Sequence, residues 1–500
     1  MSFSLLYKIR EDTPNFGALE IGALYDLSVD RAVAAFCPDR RRADYFMEVL
    51  SRPLQSVENI VYRQQIIDDL RRCSGLFAEL QLHFTRYDKI KSDWRELRQS
   101  ASAGTSQNPE ALLQRTFSSL KVTAMFPSTI VSFYSSLLDT LKKYDIKSEG
   151  LLSMRGYCEE MLANNSLADV VRIAELFQYR TLEDYTFGVE IGYDATLRMV
   201  EAELCEISLR ETKQNAFMKL FSRKKEDDGT AEVSHDLVDG IDDDVEDLSS
   251  EDAAYALSCA LTRIDAALTH ITDAIYENFY GLSRELMFYE AALLYCDFAG
   301  ERGLTLCMPE PLPAQFDTVE LENVRDLILA VEGKHAEEIV PNSLTLDETR
   351  EGIIVRGKNN TGKTVFLRSV GIAQLFTQAG LPVCAERARM SLRGGIFTHF
   401  SSAEEDFHSS DAAGRFDGEV KAVAQIIDSL QPYSLILLNE TFQTTAYDEG
   451  TEAIADILDI LPRTGAKYIF VTHLLGLFER SDPSRVKLLA SNEGYRINAV

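Results

Sequence analysis

The stretch Gly352-Ile-Ile-Val-Arg-Gly-Lys-Asn-Asn-Thr-Gly-Lys-Thr364 decides how the rest of the chain is read. Its first five residues are a short β-type run, and the residues after it, Val365 to Phe376, continue with a helical pattern. Between them, Gly357 to Thr364 fits G-x-x-x-x-G-K-[ST]. In such a loop glycines let the backbone turn so that successive N–H groups point at phosphate oxygens. The following helix offers its unpaired N–H groups and positive dipole end to the same anion. Lys363 is then placed to reach the β and γ phosphates, and the Thr364 hydroxyl to ligate Mg²⁺. Gly357, Lys358, Asn359, Asn360, Thr361, Gly362, Lys363 and Thr364 are therefore the expected ATP-binding residues, with ATP and Mg²⁺ as cofactors.

Two further strands support a P-loop domain. Ser434–Leu438 (SLILL) ends in Asn439-Glu440, and Tyr468–Thr472 (YIFVT) ends in His473. A P-loop ATPase needs a group that orients Mg²⁺ and its waters and a base that polarises the attacking water. Glu440 is the expected base. Asn439 can hold a metal-bound water by hydrogen bond but brings no charge, so slow turnover is expected. His473 is the expected γ-phosphate sensor. Strands alternating with helical runs indicate an α/β domain with a mainly parallel sheet, beginning after the proline-rich Gly303–Phe316.

Upstream, residues 55–180 read as mostly helical. Two stripes of helical period follow. One runs through Val189, Tyr193, Leu197, Val200, Leu204 and Ile207, the other through Leu257, Leu261, Ile264, Leu268, Ile271, Ile275 and Phe279. They predict an antiparallel pair of long helices carrying residues 213–252 at the tip, a disordered acidic insert. The expected organisation is a segment 1–54, a helical core with long antiparallel helices over 55–310, and a P-loop ATPase domain over 311–500: an α + α/β chain.

Charge constrains the partners. Lys plus Arg total 51 against 79 Asp plus Glu, a net −28, and Glu226–Asp252 contains acids but no Lys or Arg. Such a balance opposes general, charge-driven binding of polyphosphates. A basic cluster, Lys219, Arg223, Lys224 and Lys225, remains as the candidate DNA contact. The eight cysteines form no Cys-x-x-Cys pair, which argues for reduced thiols and against a zinc ribbon. No apolar run approaches the ~18 residues of a spanning helix, and no leader pattern opens the sequence. A cytoplasmic protein with neither membrane nor zinc is expected.

On these residues the chain resembles the MutS family of mismatch-repair ATPases, whose nucleotide domains belong to the ABC superfamily. Val340-Pro-Asn-Ser-Leu-Thr-Leu346 looks like the segment before that family's P-loop, and Lys334-His335 lies where the family has a basic-His pair. Phe397-Thr398-His399 with Ser401 and Ser402 resembles the loop linking nucleotide to domain, and Thr472-His473 matches the family's Thr-His. Gly414-Arg415-Phe416-Asp417-Gly418-Glu419 sits at the signature loop, which in MutS dimers crosses to the partner's γ-phosphate; its usual first Ser is Gly414 here. Arg63-Gln64-Gln65-Ile66 with Asp69-Leu70 looks like the start of the MutS helical core, the long helices like its levers, and Glu285–Phe298 like the return into the ATPase domain.

The resemblance implies a homodimer through the ATPase domains, with Gly414, Arg415, Phe416 and Glu419 acting in trans. It also implies levers whose movement on DNA follows the nucleotide. Mismatch-reading and connector domains have no room before residue 55, and no folded clamp is evident, so branched or recombination DNA is the expected target. A nucleotide-gated protein scaffold with little or no DNA binding is the alternative.

Overall fold

The computed structural model describes residues 3–9, 18–103, 108–196, 198–209, 250–401, 412–442 and 447–500. Lys219, Arg223, Lys224, Lys225 and nearly all of the 213–252 insert lie outside them. The described chain mixes helices with three sheets. It divides into two compact units, one of Leu82–Lys142 and Arg155–Tyr280, the other of Phe3–Gln81, Lys143–Met154 and Gly281–Val500. The unit that holds the P-loop therefore also takes in much sequence ahead of residue 310, and its borders differ from those drawn at 54 and 310.

The first unit contains most of the helices Leu76–Ala101 and Pro109–Lys143, the whole of Ser250–Tyr276, and a two-stranded hairpin of β1 (Tyr185–Tyr193) and β2 (Met199–Leu209). Leu113, Phe117, Leu120, Leu261 and Leu268 form its core with Phe177 and Tyr185. Further along, Tyr87 stacks on Tyr276 at 4.7 Å, and its hydroxyl donates to the Tyr276 carbonyl at 2.9 Å. Arg98 meets the buried Asp265 at 2.7 Å, and the Ser119 hydroxyl donates to the same oxygen at 3.1 Å.

The downstream stripe is the helix Ser250–Tyr276, as expected. The upstream stripe is not a helix. Residues 185–209 form an antiparallel hairpin, and the reason for the misreading lies in its register. Gly188 pairs with Glu206 while Val189 pairs with Leu204, and Gly192 pairs with Glu201 while Tyr193 pairs with Met199. Cys205 and Val200 are thus extra residues, each a bulge in β2. Among the residues turned inward are Met199, Ala202, Leu204 and Ile207, spaced 3, 2 and 3 apart. Steps of three across the bulges, counted together with the exposed Tyr193 and Val200, imitate a 3.6-residue period. The inward face packs on Ala256 and Ala260 of the long helix.

In the second unit a six-stranded sheet runs in the order β12 (Ile497–Ala499), β11 (Val486–Ser491), β6 (Gly352–Arg356), β10 (Lys467–Thr472), β9 (Leu435–Asn439) and β8 (Ile396–Phe400). All neighbours are parallel except β12. Strands β6, β9 and β10 are almost continuously apolar because helices cover both faces of such a sheet. Ile354, Ile436, Leu438 and Phe470 lie in its core with Ile454 and Leu458. A second, mixed sheet has the order β3 (Glu310–Leu312), β7 (Arg387–Ser391), β4 (Val319–Val324) and β5 (Asn342–Leu346). The lead-in to the P-loop is therefore strand β5, and His335 caps a single 3-10 turn through its own N–H to Glu338.

The helix Lys363–Ala379 is buried along almost its whole length. At Gly371 a Cβ would stand 2.7 Å from Leu27 and from Leu437, so this position needs glycine for close approach on both sides.

Candidate nucleotide site

Strand β6 ends at Arg356, and the loop 357–362 passes directly into the helix that begins at Lys363. Gly362 precedes that helix at φ 81°, a conformation that favours glycine. Gly357 is required by space: a Cβ there would lie 1.8 Å from the Ser491 hydroxyl. That hydroxyl is 2.5 Å from the Thr361 hydroxyl, which in turn donates to the Lys358 carbonyl at 2.7 Å. Lys358, Asn359 and Asn360 are exposed at the rim.

Lys363 is 3% exposed, and its ammonium donates to the carbonyls of Gly357 at 3.0 Å and Lys358 at 2.8 Å. The amine thus lies over the loop's own backbone. Burial lowers its pKa below the ordinary lysine value, and Glu440, 3.8 Å away, pulls it back up. Beside it, Glu440 Oε1 is 2.7 Å from His473 Nε2. The same ring nitrogen is 3.4 Å from the lysine ammonium. Nε2 cannot both donate to the carboxylate and accept from the ammonium, and the shorter contact decides: it carries the hydrogen and donates to Glu440.

On the other side of the lysine helix, the Thr364 hydroxyl donates to Asn439 Oδ1 at 3.0 Å. A hydroxyl and an amide oxygen side by side at a helix N-terminus form a neutral oxygen donor pair. Such a pair fits a magnesium ion that keeps most of its waters and takes its remaining ligands from phosphate. The residues present therefore fit Mg-ATP, with one charge fewer than a carboxylate at 439 would give.

The turn after β9 is strained where the candidate base sits. Glu440 has φ 55° and Phe442 φ 65°, left-handed conformations that large side chains rarely adopt. Three groups hold the turn. The Glu440 N–H donates to Val471 O at 2.9 Å, the Phe442 N–H donates to Glu419 Oε2 at 2.8 Å, and Thr441 Oγ1 lies 2.9 Å from His399 Nδ1. Burial lowers the His399 pKa, so that ring is neutral at pH 7. Glu419 also accepts from the Ser401 hydroxyl at 2.7 Å.

The structure thus brings Lys363, Thr364, Asn439, Glu440 and His473 together. It treats the signature segment differently from the expected loop. Gly414 to Glu419 belong to the helix Ala412–Ser429, and the Glu419 carboxylate is engaged within its own chain. Sequence reading missed three participants: Ser491, which fixes Gly357; Glu419 in its hold on the Glu440 turn; and Tyr495. The Tyr495 ring lies where a Cβ on Gly362 would be 3.4 Å from it, and the residue is 52% exposed beside the P-loop. No local pattern marks Tyr495 or Ser491, because each reaches the loop only through the pairing of β11 with β6.

A loop of the G-x-x-x-x-G-K-T pattern after strand β6, with His473 after β10 and Glu440 after β9, is the arrangement that a nucleotide site of the P-loop kind requires. Residues 353–491 match the family model for MutS domain V. It is 30% identical over 187 residues to the "Endonuclease MutS2" of Symbiobacterium thermophilum, covering 36% of this chain and 22% of that protein. Over 157 residues it is 34% identical to the "Endonuclease MutS2" of an Anaeromyxobacter species, covering 31% and 19%. It is 32% identical over 164 residues to the "DNA mismatch repair protein MutS" of Desulfosudis oleivorans, covering 30% and 18%. The matched region spans about a fifth of these relatives' own length. Among the described residues no helix is long and apolar enough to cross a membrane.

Proposed function

We propose that this chain binds and slowly hydrolyses Mg-ATP as a homodimer, and that its nucleotide state moves the long-helix unit on branched or recombination DNA. The observation that carries the reading is the meeting of Lys363, Glu440 and His473 at the mouth of the P-loop. When phosphate enters, the Lys363 ammonium exchanges its two carbonyl partners for phosphate oxygens. Thr364 and Asn439 would hold the magnesium ion, which would supply charge neutralisation of the phosphates. Glu440 accepts the proton of the attacking water, and His473, freed from Glu440, donates Nε2–H toward the γ-phosphate. The exposed Tyr495 offers a stacking surface for the base. In the dimer, Gly414, Arg415 and Phe416 act on the partner's nucleotide, while Glu419 steadies the catalytic turn of its own chain. DNA contact falls to Lys219, Arg223, Lys224 and Lys225.

One observation favours the second reading, a nucleotide-gated scaffold for proteins. The β1–β2 hairpin sets Glu190 directly opposite Glu203 and adds exposed Glu201 and Glu206; Arg263 pairs with Glu201 at 2.9 Å and with Glu203 at 3.2 Å, which leaves the four carboxylates with a net negative charge toward phosphate. Steady-state hydrolysis measured with and without duplex, junction and single-stranded DNA separates the two. Stimulation by one DNA form, with affinity falling steeply as salt rises, supports the first reading. Hydrolysis unchanged by every form, with no DNA bound at low salt, supports the scaffold.

A further inference from the structure

The segment Phe3–Ile9 has no helix or strand of its own; the Ser4 hydroxyl accepts from the Leu6 and Tyr7 N–H groups, and side chains elsewhere in the second unit bond the N–H groups of Leu5, Leu6, Lys8 and Ile9 and the carbonyls of Ser4, Leu5, Leu6 and Ile9. Glu285, half-buried in the helix Leu282–Glu301, accepts from Leu5 N–H at 2.6 Å, Leu6 N–H at 3.3 Å and the Ser4 hydroxyl at 2.9 Å. Tyr62 donates to Ser4 O at 2.9 Å, and Tyr289 to Leu5 O at 2.5 Å. Asn59 accepts from the N–H groups of Lys8 and Ile9 and donates to Ile9 O at 2.9 Å. The Leu5 and Leu6 side chains are fully covered. This is how a groove recognises an extended peptide: fixed side chains supply the hydrogen bonds that a strand would otherwise give.

One wall of the groove leads to the P-loop helix. Arg63 Nε donates to Leu6 O at 2.8 Å, while its Nη1 donates to Ala379 O at 3.2 Å. Its guanidinium carbon lies 5.0 Å from the Tyr7 ring and 5.3 Å from that of Phe288. Ala379 is the last residue of the helix whose first is Lys363. A helix leaves its last four carbonyls without internal partners. Here Phe376 O and Thr377 O are satisfied by the chain's own turn at Leu381 and Gly380. The other two are met from upstream: Gln378 O by Leu54 N–H at 2.9 Å, and Ala379 O by Arg63.

We propose that the groove of Asn59, Tyr62, Arg63, Glu285 and Tyr289 is a peptide site whose ligand is the chain's own segment Ser4–Ile9. Its filling sets the helix Lys363–Ala379 through Arg63, a positioning residue for nucleotide binding. The second half rests on the nucleotide-binding function above; the first half stands without it. A segment bound mainly by side-chain groups, with no sheet partner, exchanges with an identical peptide supplied from outside.

The test uses the full chain carrying Leu5→Asp and Leu6→Asp, which eject the segment, and a labelled synthetic peptide of residues 3–9. Fluorescence polarisation reads peptide capture without nucleotide, and calorimetry reads Mg-nucleotide affinity with and without peptide. The expected result is saturable capture by the variant, little by wild type, and a nucleotide affinity reduced about five-fold or more that the peptide restores. A natively folded variant that captures no more peptide than wild type overturns the site. Capture with no change in nucleotide affinity overturns the coupling. If the double variant does not fold, Glu285→Gln in the otherwise native chain serves instead. Faster hydrogen exchange at Leu5 and Leu6 together with weaker nucleotide binding is then expected, and faster exchange at unchanged affinity, or no faster exchange, contradicts the proposal. Loss of nucleotide binding by wild type itself sinks the function, and peptide capture still decides the groove.

Discussion

At the scale of single residues the site turns on two side chains that end β9. Glu440 stands 2.7 Å from His473 and is held in a strained backbone conformation by its neighbours. If it is the base, Glu440→Gln leaves nucleotide binding intact and lowers steady-state hydrolysis by about 10²–10⁴-fold, with ATP retained in a closed dimer. Hydrolysis at the wild-type rate removes Glu440 from that role. Asn439 is the complementary case. Its amide oxygen already receives the Thr364 hydroxyl, so Asn439→Asp adds a charge without moving an atom. Tighter Mg²⁺ dependence and faster turnover are expected, read from hydrolysis rate against Mg²⁺ concentration.

Another residue-scale expectation concerns stability. Asp69 is 1% exposed; burial pushes its pKa up, but the N–H groups of Ser148 and Lys147 and the Arg72 guanidinium outweigh burial and hold it below the ordinary 3.8. A carboxylate with a depressed folded pKa contributes stability that is present above the unfolded value and lost as pH falls through the folded one. Asp69→Asn is therefore expected to cost about 2 kcal/mol at neutral pH. In chemical denaturation followed against pH, that difference is constant down to about pH 4 and shrinks below it. A difference that does not change with pH rules out the ionised form as the source.

At the scale of elements, the P-loop joins two strands as well as a strand and a helix. Ser491 on β11 fills the space that a side chain at 357 would need. Gly357→Ala is expected to weaken nucleotide binding at least about ten-fold, at the scale of an overpacked site. Adding Ser491→Gly should return most of it; a single variant that binds like wild type shows that the contact does not constrain the loop. The strands β6, β9 and β10 were legible because a strand buried on both faces must be apolar throughout, and the P-loop because its glycines and lysine are dictated by phosphate. The hairpin was not legible: steps of three across the bulges at Val200 and Cys205 let inward and outward residues together pass for a helical stripe. Nor was the groove for residues 3–9, since its partners come from helices more than fifty residues away in sequence.

At the scale of the whole molecule, the negative charge and the ATP site pull the function in different directions. The proposed Mg-ATP site is a local arrangement of N–H groups and one buried lysine, which a net charge of −28 would barely disturb at short range in salt. DNA, by contrast, meets the surface as a whole, and the described hairpin offers it carboxylates. The proposal of ATP-driven movement on DNA therefore depends on the nucleotide step first. Calorimetric titration of Mg-ATP into the wild-type chain and into Lys363→Ala tests that step most directly. A saturable heat for the wild type, absent from a Lys363→Ala protein that remains folded, is the expected outcome; no heat from the wild type, or equal heats from both, contradicts the account.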